Sequence, residues 1–417
     1  MLQPPAAVRA ITRTLEAAGH EAWCVGGAVR DALLGIATLD WDIATSARPE
    51  QVQQLFKRTI PVGIQFGTVG VLDRDGVLHE VTTFRHDVET DGRHAVVKFG
   101  ASLDEDLARR DFTINAIAVH AETLALRDPF DGRADLERRI VRCVGDAQQR
   151  MQEDRLRALR ALRFAGRFDF AVDPATWQAI KDSAPHLGRL SMERVKQELE
   201  KVMEQVARPS VTLERYREAG IFAALVPALA DAPRARFLAI DHLPLGRHER
   251  RVLRLAALFV EPGVRPPRTL EKTLKDLKFS NVEARAAVSL AEAAGDHRWS
   301  EVTELRDADL RRAVAKVGRL MVPSLARVLW ARAKAEGATA VQANAGRALY
   351  RRALRVAFRD PLSIGDLAID GEDLQREGVA PGKAMGDVLK QLLEVVLADP
   401  TRNTREALLA VVRARRA

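Results

Sequence analysis

Two cysteines, Cys24 and Cys143, are all that 417 residues contain. So few exclude a disulfide scaffold and an all-cysteine zinc site and suit a reducing compartment, so a cytoplasmic location is expected. No apolar run reaches the roughly 18 residues that cross a bilayer, and no membrane partner is expected. The N-terminal stretch MLQPPAAVRAITRTLEAAGHEAW has no signal-peptide core, because Arg9, Arg13 and Glu16 interrupt it. There is no fixed-period repeat and no low-complexity segment. Beyond about residue 139 there is no convincing strand pattern either.

What the chain does have is apolar residues, 47% of the total, enough for a folded core, and a formal charge of +8. At about 150 residues per domain the length allows two to four domains. The positive charge is concentrated. Arg150, Arg155, Arg157, Arg160, Arg163 and Arg167 face only Glu153 and Asp154 nearby, and Arg402, Arg405, Arg413, Arg415 and Arg416 face only Glu406. Local excess of this kind suits a phosphate-bearing partner, although solvated helix faces produce it too.

Periodicity predicts a helix over 5–19, then a small α+β head with a mixed or antiparallel sheet. Its strands are AWCVGG, LDWDIAT, GTVGVLD, VLHEVTTF and INAIAVH. Its helices are AVRDALLG, RPEQVQQLFKR and LDEDLARRD, and DRDG is a hairpin turn. Helical periodicity then runs to the end, broken at ARPS, VEPGVRPPRTL, FRDPLS and VAPGKAMG. These breaks divide the chain into a head, 1–139, and three helical segments, 140–206, 207–310 and 311–417.

The stretch LDWDIAT carries the chemistry. On a strand, Asp40 and Asp42 point to one face and Trp41 and Ile43 to the other. Two neighbouring carboxylates with no local cation repel each other, and a hard divalent cation such as Mg²⁺ relieves this. Just upstream, VGGAVRDALLG reads as strand, glycine turn, helix. Gly26 and Gly27 let backbone N–H groups approach a phosphate, and Arg30 sits one turn on. Together these predict a metal-assisted attack on a nucleoside triphosphate with pyrophosphate as leaving group. Glu80, on a neighbouring strand, is a candidate third carboxylate. In EDLARRDFTINAIAVH, Arg109 and Arg110 can meet triphosphate oxygens, Asp111 can accept from a sugar hydroxyl, and Asn115 can support it.

In QEDRLRALRALRFAGRF, read as one helix, Asp154, Arg157 and Arg160 share a face within about 120°. Asp154 offers an acceptor and Arg157 a forked donor. Cytosine and adenine each pair an exocyclic amino donor with a ring-nitrogen acceptor, so both fit that edge. Uracil and guanine show the reverse order.

These motifs, with EVTTFR, DPFDGRADL and SMERVKQELEKVM, follow one another over about residues 23 to 203 in an order that resembles the class II tRNA nucleotidyltransferase and bacterial poly(A) polymerase family. The resemblance implies a nucleotidyltransferase head with helical neck, body and tail. It implies Mg²⁺ on Asp40 and Asp42, triphosphate contacts from Gly26, Gly27, Arg30 and Arg110, and base reading by Asp154 and Arg157. Arg160 and Arg163 follow as nucleotide-site residues, with ATP and CTP as substrates and tRNA gripped by the tail. A flexible loop is expected at 87–100, where Asp91, Gly92 and Arg93 match the family and His94 and Ala95 depart from it. Its presence argues against an enzyme that adds only CC. His242 and His248 lack an adjacent His-Asp pair, so no metal-dependent phosphohydrolase domain is expected. The expected activity is template-independent CCA addition. An A-adding enzyme or poly(A) polymerase, and a catalytically silent RNA-binding protein, stay open, as do the oligomeric state and the tRNA preference.

Overall fold

The structure, a computed structural model, describes residues 2–38, 40–90, 95–243, 248–260, 269–296, 299 and 305–414. The chain forms two compact units, Met1–Asp231 and Ala232–Ala417.

The first unit opens with α1 (Ala6–Ala17), which buries Val8, Ile11 and Leu15 at helical spacing. Strand β1 (Ala22–Val25) follows, then α2 (Gly27–Leu33), β2 (Asp42–Thr45), α3 (Pro49–Leu55), β3 (Thr59–Gly63), β4 (Thr68–Leu72) and β5 (Leu78–Thr83). The hairpin β6 (Arg85–Thr90) and β7 (Ala95–Phe99) precedes α4 (Leu103–Ala108), β8 (Ala118–Val119), β9 (Leu126–Arg127) and α5 (Gly132–Arg138).

The main sheet has seven strands in the order β3-β4-β5-β2-β1-β8-β9. β2 runs parallel to β5 and every other neighbouring pair is antiparallel, so the sheet is mixed, as expected. Its apolar face, including Val25, Ala44, Phe84, Ala116 and Ala118, packs on Leu103 and Leu107 of α4. Register matters for function. Val25 lies opposite Asp42 in β1–β2, and Ile43 lies opposite Val81 in β2–β5. Asp42 is therefore flanked by the residue before Gly26 on one side and by Glu80 on the other.

The details differ from expectation in several places. β2 begins at Asp42, and Asp40 is exposed just before it. INAIAVH contributes only β8, because Thr113–Asn115 close a 3₁₀ turn. The expected loop at 87–100 is largely strand, since β6 and β7 pair from Arg85↔Phe99 to Thr90↔Ala95. β3 is an edge strand whose pattern was not recognised.

The helices continue with β10 (Ile140–Val141), α6 (Ala147–Glu153), α7 (Leu156–Phe168), β11 (Ala171–Val172), α8 (Pro174–Ser183), α9 (Met192–Gln205), α10 (Pro209–Glu218) and α11 (Ile221–Leu225). β10 and β11 form a two-residue parallel ladder where only helix was expected. The helix expected across 152–168 is two helices, broken at Asp154 and Arg155, and the break decides how Asp154 is used. α7 buries ten of its thirteen residues and is the spine of this part. At Gly166 a Cβ would come within 2.0 Å of the Thr212 hydroxyl, so only glycine lets α10 cross this closely.

In the second unit, Arg234–Asp241, His248–Leu258, Thr269–Asp276, Asn281–Gly295, Asp307–Val317, Val322–Ala335, Ala340–Arg359, Gly371–Arg376, Lys383–Ala398 and Arg405–Ala414 are helices. Its last part has its own apolar cluster of Ile369, Leu374, Leu392, Val396, Leu408 and Val412. No helix among the described residues is long and apolar enough to cross a membrane.

Candidate active site

The turn between β1 and α2 fixes the centre. Gly26 has φ +75°, which a side chain resists. A Cβ on it would lie 3.0 Å from Arg110 Nη1 and 3.4 Å from Asp42 Oδ2, so a cation and an anion both close on this glycine. A Cβ on Gly27 would lie 3.5 Å from Arg30 Nη2. The sequence-predicted glycines, Arg30, Arg110 and Asp42 are thus brought together.

Asp42 is held under electrostatic strain. Burial, then the charges of Asp40 and Glu80, push its pKa up from 3.8 to about 6, against the opposing pull of Arg110. Asp40 and Glu80 therefore act on the same point, although Asp40 lies outside the strand. Among the described residues no group of three or more His, Cys, Asp or Glu side chains is placed to cage a metal ion. The donor set suits Mg²⁺ none the less. It needs only one or two carboxylates when substrate phosphates and water complete its octahedron, and a dication cancels the repulsion seen at Asp42. The thiols play no part: burial pushes Cys24 up to about 12 and Cys143 to about 11.

Arg110 is steadied from α4. The buried Asp106 carboxylate accepts from Arg110 Nη2 at 3.2 Å and from Arg109 Nε at 3.0 Å. Arg30 is only 3% exposed. Its Nε donates to Asp31 at 2.8 Å and its Nη1 to Asn115 Oδ1 at 2.5 Å, with the Phe164 and Phe168 rings 4.9 and 4.8 Å away. Asn115 Nδ2 donates on to Asp111 Oδ1 at 2.8 Å, which also accepts the Phe112 backbone N–H. Asp111 Oδ2 receives Arg160 Nε at 2.8 Å and Nη2 at 2.6 Å. Burial raises the Asp111 pKa, but the Arg160 charge and the Asn115 and Arg160 hydrogen bonds outweigh it and bring the value to about 2. Arg30, Asn115, Asp111 and Arg160 thus form one continuous relay from the glycine turn to α7.

The pair expected to read a base is also anchored internally. Asp154 lies between α6 and α7 with extended backbone. Its Oδ1 accepts the Leu156 N–H at the start of α7 at 3.1 Å, and its Oδ2 accepts Arg194 Nη2 at 2.6 Å. Arg157 Nη1 donates to Arg150 O at 2.7 Å and Glu153 Oε2 at 2.8 Å, and Nη2 donates to Arg109 O at 3.2 Å. That last bond joins α7 to the backbone of Arg109, beside Arg110. Arg163 is not on an open face. Its Nε donates to Glu198 Oε2 at 2.6 Å, with side chains 4% and 2% exposed.

Arg194, Glu198 and Phe164 were not found from sequence. Phe164 carries the Arg30, Arg160 and Arg163 guanidiniums within 5.5 Å of its ring. Glu198 had a signal: it occupies the apolar stripe of α9 with Val195, Leu199 and Val202, where an acid needs a buried partner. Arg194 had none, since its partner is 40 residues away in sequence. The loop residues Asp91 and Arg93, and Arg415 and Arg416 of the tail, lie outside the described residues.

Comparison with known proteins points one way. Residues 22–142 match the family described as Poly A polymerase head domain. Residues 169–232 match the probable RNA and SrmB-binding site of polymerase A, and residues 254–412 match tRNA nucleotidyltransferase domain 2 (putative). The CCA-adding enzyme of Latilactobacillus sakei is 35% identical over 96% of this chain and 95% of its own length. That of Geobacillus kaustophilus is 36% identical over 96% and 94%. The crystal structure of the Bacillus stearothermophilus CCA-adding enzyme in complex with CTP superposes with a TM-score of 0.75, at 32% identity and 98% coverage of both chains.

Proposed function

We infer that this chain, which belongs to the CCA-adding enzyme family, adds C, C and A in turn to the 3′ ends of tRNA, using CTP and ATP and releasing pyrophosphate. It is a tRNA nucleotidyltransferase. The convergence of Asp42 Oδ2 and Arg110 Nη1 on Gly26 carries the reaction class. Full-length likeness to CCA-adding enzymes supports the product.

On this reading the terminal ribose hydroxyl of the tRNA attacks the α-phosphorus of the nucleotide, a new P–O bond forms and the bond to pyrophosphate breaks. Asp40 and Asp42 are the catalytic carboxylates and would hold Mg²⁺, whose charge would offset that of the triphosphate and make the ribose hydroxyl easier to deprotonate. Gly26 and Gly27 admit the phosphates close to the backbone. Arg110, fixed by Asp106, and Arg30, fixed by Asp31 and Asn115, bring positive charge to them. Asp111 and Asn115 lie on the sugar side, preset by Arg160. Preset charge of this kind needs no rearrangement at the moment of reaction, which is where most of the rate is gained.

Asp154 accepts the exocyclic amino hydrogen of C or A, and Arg157 donates to the adjacent ring nitrogen. Arg194 and Glu153 hold these two side chains in position from behind, and Glu198 with Arg163 keeps α7 against α9. Uracil or guanine leaves both groups mismatched at roughly 1–3 kcal/mol each, enough for selection without a template. The work divides along the chain as head 1–139, neck 140–206, body 207–310 and tail 311–417, in a cytoplasmic protein.

tRNA transcripts ending at the discriminator base, after one C and after CC, each incubated with a single nucleotide, test the assignment. CTP extends the first by two residues and the second by one, and ATP extends only the third, by one. Runs of A, or A added to the first transcript, replace the assignment with a poly(A) polymerase. Extension of the CC-ending transcript alone makes it an A-adding enzyme, and no incorporation with any nucleotide leaves only a binding protein.

A further inference from the structure

We propose that the helix Ala340–Arg359 is a docking rail for the tRNA phosphate backbone, formed by Arg347, Arg351, Arg355 and Arg359; this rests on the reading of the chain as a CCA-adding enzyme. Between Glu336 and Asp360 the sequence holds five arginines and no acid. Four of them recur every fourth residue. Each step of four advances about 40° around the helix, so the row stays within about 120° and extends over about 18 Å. All four are exposed.

What singles the row out is how little counter-charge it meets. None of the four has an ion-pair partner among the described residues; the Asp307 charge reaches Arg355, but that carboxylate is hydrogen-bonded to Arg352. The fifth, Arg352, lies on the flank and is tied to Asp307 and the Leu305 carbonyl, both at 2.7 Å. Two of the tail arginines expected to grip RNA behave like Arg352. Arg405 is held by Asp373 at 2.6 Å, and Arg413 is paired with Glu377. A close-set row of exposed arginines without ion-pair partners therefore sits on this helix. A helix C-terminus favours cations through its dipole, but that effect fades beyond the last turn and leaves Arg347 and Arg351 unexplained. Phe358, 59% exposed on the same face, adds a flat apolar surface suited to a sugar or an unstacked base. An evenly spaced row of unpaired guanidiniums fits a partner with evenly spaced anions, and RNA is the polyanion this protein handles.

The experiment measures labelled-tRNA binding by fluorescence anisotropy over a salt series, with full-length wild type, the triple variant Arg347→Gln, Arg351→Gln, Arg355→Gln, and the same three positions changed to Lys. The Gln variant binds tRNA about 10- to 100-fold more weakly near 0.1 M salt, and its slope of log affinity against log salt is shallower by about 3. It binds CTP as the wild type does, and the Lys variant regains most of the tRNA affinity. Unchanged affinity and slope in the Gln variant overturn the proposal, as does an equal loss in the Lys variant. A wild type that binds tRNA steeply with salt yet adds no nucleotide refutes the enzymatic reading instead and leaves the rail standing.

Discussion

Arg160 forks onto a single oxygen of Asp111, Nε at 2.8 Å and Nη2 at 2.6 Å, across 49 residues of sequence. The bond ties α7 to the turn that follows Arg109 and Arg110, and with the Asn115 hydrogen bond it brings the Asp111 pKa to about 2. Folded-state depression of a carboxylate gives stability that is complete above the unfolded value near 4 and is lost as pH falls toward 2. Asp111→Asn removes that term. Acid unfolding followed by circular dichroism shows the wild type losing more stability than the variant between about pH 4 and pH 2. Parallel curves through that window reject the coupling.

Asp42 has the opposite sign. Its pKa is raised from 3.8 to about 6, so the ionised group weakens the metal-free protein, and the weakening grows as pH rises through that interval. That rise corresponds to at most about 3 kcal/mol, and about half that after screening at a partly open group. Asp42→Asn accordingly melts higher than the wild type at pH 7 in the presence of a chelator. Adding Mg²⁺ with CTP raises the wild-type melting temperature more than that of the variant. A variant that melts lower, or equal Mg²⁺ shifts, contradicts the electrostatic account.

Glu198 and Arg163 form a buried pair, where losing one partner strands the other charge. Glu198→Gln is expected to cost about 3–5 kcal/mol in urea unfolding, whereas replacing both residues by Leu recovers much of it. A single variant within about 1 kcal/mol of the wild type means the pair is hydrated and structurally minor.

Base choice should respond to Arg194 as well as to Asp154. Arg194→Gln leaves Asp154 Oδ2 without its 2.6 Å partner, so only the Leu156 N–H on Oδ1 still orients the carboxylate. The ratio of CTP to UTP incorporation falls by roughly 5- to 100-fold, as for Asp154→Asn though less severely. Competition assays on a discriminator-ended tRNA measure this ratio, and unaltered selectivity in both variants takes base reading away from Asp154.

Much of this was legible in the sequence because the signals are local. The glycine turn, the two acids and Arg110 lie on short segments whose periodicity or composition marks them, and the mixed sheet follows from strand alternation. The break at Asp154 was also local: an Asp followed by an apolar-periodic run is a capping signal, but the regular arginine spacing from 157 to 163 masked it. Other features depend on long-range pairing. Whether an arginine faces solvent or a carboxylate 35 residues away, as Arg163 does, is decided by how α7 packs on α9. The same holds in the second unit, where charge density drew attention to the C-terminal arginines, yet Asp373 and Glu377 neutralise two of them. The hairpin of β6 and β7 was hidden because loop-like composition at its tip outweighed the alternation in its arms.

The most direct measurement is single-turnover CMP incorporation into a discriminator-ended tRNA by wild type and Asp42→Asn, at saturating Mg²⁺, CTP and tRNA. The account predicts a rate lower by at least about 10²–10³-fold with tRNA binding intact. A variant within tenfold of the wild type contradicts it, because the reacting phosphate then lies somewhere other than beside Asp42 and Gly26.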